Sequence, residues 1–116
     1  MKEIQAYHKA SAEALELQVE TFGKEGIFYF PETFSPLTRW EPDIDHNQMA
    51  MIENKLIEKG YFIETNIGKH SGTVLCNTAI FKVDWDDKGQ EHYHFTDKDK
   101  RIAFMRVFME YIKTKK

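Results

Sequence analysis

The chain has 116 residues, of which 41% are hydrophobic and 14% aromatic, and it carries a formal net charge of −3. A chain of this length fits one domain, read here as residues 1–116, and its aromatic content is too high for a disordered polymer. The acidic balance argues against nucleic acid as the partner, because phosphate-binding domains are usually basic. Cys76 is the single cysteine, so no intrachain disulfide framework is available. No apolar run approaches the ~20 residues needed to cross a bilayer, and the first residues lack the apolar centre of a secretory signal. The expected location is the cytoplasm, with no membrane partner.

In chain order, residues 3–22 read as an amphipathic helix. Ile4, Tyr7, Ser11, Leu15, Gln18, Val19 and Phe22 recur at helical spacing, and Gly23 is its expected stop. Ile27-Phe-Tyr-Phe30 reads as a short strand at a sheet edge, closed by Pro31. Prolines at 31, 36 and 42 then exclude helix and central strand. This segment is expected to be an ordered loop pinned to the body by Phe34, Leu37 and Trp40.

A second helix is expected from Asp45. Its carboxylate can cap the first turn while Gln48 reaches back as in a capping box, and Gly60 ends the helix. Residues 61–67 read as a strand and Gly68–Gly72 as a turn. Residues 73–85 form a long strand whose first half is apolar on both faces, which places it centrally in a sheet. Asp86–Gly89 forms a turn, 90–95 the third strand of a meander, and Thr96 with Asp99 the cap of a final helix. The order α-β-α-β-β-β-α predicts an α+β fold, a mainly antiparallel sheet with helices packed on it as a layered sandwich.

Several groups of residues could carry chemistry. His92 and His94 alternate on a strand and so share a face, and with Asp84 they could meet one metal ion. The ordinary alternative is a half-wet strand with Tyr93 and Phe95 turned inward. Asp84, Asp86 and Gly89 partly match a calcium loop, but Lys88 and Phe95 break the pattern, so a hairpin turn is expected. Asp43, Asp45 and His46 could do acid–base work, although Asp45 is already needed as a cap. Cys76 lies in an apolar strand and reads as a small core side chain.

Phe34, Leu37, Arg39 and Trp40 combine apolar bulk with a cation, the composition of a partner-binding patch. The competing reading is that this loop closes one end of the core. No Gly-rich phosphate loop, nucleophile elbow or zincin motif occurs, so no cofactor is expected and catalysis is disfavoured without being excluded.

From Phe34 onward the chain resembles the phage ABA sandwich domain family. The resemblance rests on Phe34-Ser-Pro36, on Trp40-Glu-Pro-Asp-Ile-Asp-His46 leading into a helix, on Leu56-Ile-Glu-Lys-Gly-Tyr61 as helix exit into strand, on the meander, and on Thr96-Asp97 before the last helix. It covers residues 34–112. The last helix departs from the family's Ala-rich pattern, being rich in Phe and Met. The resemblance implies a small phage or prophage accessory protein with helices on a sheet, and it carries over no catalytic residues.

The resulting expectation is non-catalytic binding of a host protein in the host cytoplasm, in the manner of an inhibitor of a host defence system, with a small ligand or self-association as further modes. The rivals are a metal-dependent enzyme using His92, His94 and Asp84, and a nucleotide-binding sponge using Arg39, Lys69 and Trp40.

Overall fold

A computed structural model describes residues 2–21, 26–29, 36–83 and 90–115. Among the described residues, three helices and two three-stranded antiparallel sheets make an α+β fold. The chain divides into two compact units, Met1–Ile52 and Glu53–Lys116.

In the first unit, α1 covers Lys2–Ala14 and buries Tyr7, His8, Ser11 and Ala12. The expected helix to residue 22 ends eight residues early. Glu16 takes φ +56°, Glu16 N–H donates to Glu13 O and Leu17 N–H donates to Ala12 O. These two bonds are a Schellman stop, normally built on glycine because a Cβ strains the left-handed conformation. Glu16→Gly is therefore expected to raise stability by about 0.5–1 kcal/mol, read as a higher urea midpoint with unchanged slope.

The residues beyond the stop become strand β1, Val19–Thr21, which pairs with β2, Ile27–Tyr29. The third strand, β3, is only Thr38–Arg39 and pairs with the other side of β2. β2 is thus central rather than at the expected edge, because the residues of β1, which carry helical spacing in the sequence, pair with it as a strand. Phe34 and the first proline, Pro31, lie outside the described residues, while Pro42 is buried.

Helix α2, His46–Glu58, begins and ends where the sequence places it. Asp45 Oδ1 accepts from the backbone N–H of Asn47 at 2.9 Å and of Gln48 at 3.1 Å. At the other end Gly60 takes φ +95° and Tyr61 N–H returns to Leu56 O at 3.0 Å. The Gln48 side chain does not close a capping box. Its Oε1 accepts from Glu41 N–H at 2.6 Å and its Nε2 donates to Arg39 O at 2.8 Å.

In the second unit, β4 (Phe62–His70), β5 (Thr73–Val83) and β6 (Gln90–Asp97) form a meander with β5 central, as expected. The turn between β4 and β5 is shorter than the sequence suggests. His70 still pairs with Thr73, leaving only Ser71 at φ +51° and Gly72 at φ +82°. Positive φ at both positions is a type I′ turn, whose twist suits paired strands. Residues 84–89, including Asp84 and the calcium-like turn, lie outside the described residues.

Helix α3, Lys100–Lys115, packs on β5 and β6. Ala103, Phe104, Met105, Val107, Phe108 and Tyr111 are its buried side chains. They meet the sheet face that carries Cys76, Thr78 and Ile80, which are buried, and Tyr93, whose ring lies 6.0 Å from that of Tyr111. Asp99 alone caps α3, its Oδ1 accepting from Arg101 N–H at 2.9 Å. Thr96 does not take part. It remains in β6 and donates across the sheet to Asn77 Oδ1 at 2.9 Å.

Candidate functional site

Strand alternation gives the second sheet two unlike faces. One packs under α3. The other carries, in register, Phe62 on β4, Phe81 on β5 and His92 on β6, with His94 two residues further along. Phe62 and Phe81 stack at 5.4 Å between ring centroids and 17° between planes. Phe81 and His92 lie 6.0 Å apart, and His92 and His94 5.5 Å apart, both pairs tilted. The result is a ladder of four rings crossing all three strands.

Phe62 is 58% exposed, Phe81 is half-buried, and both histidines are exposed. Water therefore touches a row of aromatic carbon that a soluble sheet normally covers. Below the ladder, Asn66, Asn77 and Thr96 make a polar row, and Glu64 is the acidic member of the face. The described residues of this face include no lysine or arginine: Lys69 and Lys82 stand on the α3 side, with the Lys82 ammonium 5.4 Å over the Tyr61 ring.

The metal reading keeps part of its geometry. His92 and His94 do share a face, as their spacing requires. Among the described residues, however, no group of three or more His, Cys, Asp or Glu side chains is placed to hold an ion, and Asp84 lies outside them.

The loop residues expected to bind a partner separate in the structure. Trp40 is 0% exposed. Its indole Nε1 donates to Ser11 Oγ at 2.9 Å, its ring meets Tyr29 edge-on at 5.2 Å, and its backbone N–H donates to Ile27 O at 2.7 Å. A ring so enclosed is a core anchor and offers no face to a partner, which corrects its place in the expected patch. Leu37 is half-buried. Arg39 is exposed, with its Nε 3.6 Å from Glu41 Oε2.

The acidic cluster before α2 also disperses. Asp45 is the cap and His46 is exposed, whereas Asp43 is buried and accepts a hydrogen bond from His8 Nε2 on α1. This buried pair is absent from the sequence reading. Beside it, Ser11 Oγ donates to Tyr7 O at 2.6 Å while accepting from Trp40, so His8–Asp43 and Trp40–Ser11 together fasten α1 to residues 40–43. Burial holds the Tyr29 phenol above its ordinary value, opposed by the Gln48 hydrogen bond and assisted by the Asp45 charge. In the second unit burial likewise raises the Glu53 carboxyl, with the Lys100 ammonium pulling it down.

The first unit also contains a cleft of about 440 Å³ between α1 and the β1–β2 pair. Ala12, Leu17, Val19 and Ile27 give it apolar walls, and Lys9 and Glu13 stand among its lining residues. Its volume suits a small molecule. Leu17 and Val19 continue the helical spacing in the sequence, which hides this cleft. Among the described residues no helix is long and apolar enough to cross a membrane. No family model, curated protein or solved structure matches this chain.

Proposed function

We propose that the protein acts by binding a protein partner through the open face of the β4–β6 sheet, and that it is not a catalyst. The observation that carries this reading is the ladder Phe62–Phe81–His92–His94, aromatic surface left in water on a sheet whose other face packs against α3 over β5 and β6. Exposed apolar area of this kind, bordered by polar side chains, is the usual mark of an interaction surface. Aromatic rings bury large area at small entropic cost, and the imidazoles add groups that donate or accept hydrogen bonds.

A single-stranded nucleic acid also stacks on aromatic rings, but it needs cations along its backbone. The described residues of this face provide none, and the chain is net acidic. A protein surface fits it better. The family resemblance supports the setting: a small phage accessory protein in the host cytoplasm, binding a host protein as an inhibitor of a defence system.

The test is differential capture from a bacterial lysate on immobilised protein. A partner held by the wild type is expected to be lost with Phe62→Ala/His92→Ala, while far-UV circular dichroism stays unchanged. Arg39→Ala should retain it. Capture that is indifferent to the double variant, or turnover of a substrate by the purified chain, would refute the reading.

A further inference from the structure

Among the described residues β4 has a partner on one side only. It pairs with β5 without a break over all nine of its residues, so no bulge twists its outer side away. Natural edge strands are usually blunted by proline, lysine, a bulge or a covering segment. β4 has no proline, its single lysine is Lys69 near its end, and from Asn66 to His70 every β4 residue is exposed. Ile67 is 66% exposed, and Val74, diagonal to it on the same face, is 53% exposed. An outward row of backbone donors and acceptors is thus combined with the most exposed large apolar side chain among the described residues of the second unit.

We infer that two copies of the chain associate through β4, pairing antiparallel about Ile67 so that their two sheets become one. A two-fold axis normal to the sheet keeps each face on its own side, which a side-chain period of two requires. In this register Ile67 meets Ile67 of the second copy, and Val74 extends that apolar contact from each side. On the other face Glu64 stands opposite His70, and the exchange occurs twice. Thr65 meets Lys69 and Asn66 meets Gly68, so no like charges oppose. Moving the axis to Asn66 would set Ile63 against Lys69 and leave Glu64 facing Gly68, with no side-chain partner for its carboxylate.

Phe62 falls opposite Gly72, a residue without a side chain, so the ring ladder stays open in both copies. This association is independent of the binding function proposed above and would give one continuous sheet with two ladders. The interface is a single strand pair, below the area of a standard stable complex, so the dimer should be weak, forming at about 10–500 µM.

Light scattering across that range on the purified chain tests it, with no other partner present. The wild type is expected to pass from monomer to dimer. Ile67→Lys sets two ammonium groups on the axis and should stay monomeric throughout, and at such an exposed position it should fold normally. Glu64→Arg should loosen the dimer about tenfold, through two exchanged cross-strand pairs, and Glu64→Arg/His70→Asp should restore it. Ile67→Cys should form a symmetric disulfide on mild oxidation, whereas Thr65→Cys should not, because only position 67 meets its own copy within disulfide reach. Native Cys76 is buried and does not compete. A wild-type chain monomeric at the top of the range, an Ile67→Lys variant that still dimerises, or a disulfide at 65 in place of 67 would overturn the inference.

Discussion

Trp40→Ala is expected to destabilise the first unit by about 3–5 kcal/mol, the cost of emptying a fully buried large aromatic site. The indole is 0% exposed, packed edge-on against Tyr29, and hydrogen-bonded to Ser11. Folded domains have only about 5–15 kcal/mol in reserve, so the variant should sit near the limit of folding. Trp40→Phe keeps most of the burial and removes only the indole donor. Because Ser11 Oγ still donates to Tyr7 O, its cost should fall to about 1–2 kcal/mol plus a small packing loss. Urea titration followed by circular dichroism measures both. A Trp40→Ala chain within about 1 kcal/mol of wild type would mean that the indole does not hold the unit together. The outcome also separates the two sequence readings of the loop, since a partner-binding tryptophan should be dispensable for folding.

The second large effect is expected at the His8–Asp43 pair, whose side chains are 10% and 8% exposed. Asp43→Ala leaves a buried imidazole without its acceptor and should cost about 1–3 kcal/mol. The informative variant is His8→Leu/Asp43→Ala. Removing both polar groups removes the unmet demand, so the double variant should be more stable than Asp43→Ala alone. Chemical denaturation of the four members of the cycle gives the coupling directly. If the single costs add to within about 0.5 kcal/mol, the two groups do not act as a pair.

What the sequence revealed was what local chemistry specifies. Helix α2 was legible at both ends because Asp45 and Gly60 act within one turn of themselves. β5 was placed centrally because the first half of the strand is apolar on both faces. The end of α1 was hidden because its left-handed stop is a glutamate, while apolar spacing continues through Val19 and Phe22 as though the helix did. His8 was unreadable for a different reason: its acceptor lies 35 residues away, and an isolated histidine on a helix carries no mark of a distant partner. The ring ladder was half legible. Alternation put His92 and His94 on one face, but joining them to Phe62 and Phe81 required the register that the Ser71–Gly72 turn sets.

Gln48 illustrates a further kind of dependence. Its amide grips the carbonyl before Trp40 and the N–H after it, addressing the main chain and not the side chains of Arg39 and Glu41. Those two positions can therefore change identity freely without loosening the grip. Position 48 has no such latitude: glutamate would lack the donor, methionine would lack both groups, and asparagine would fall one methylene short. The residue that decides how the tryptophan is seated thus holds positions 39 and 41 through their main-chain atoms alone. Drift among related chains should leave 39 and 41 diverse and 48 fixed.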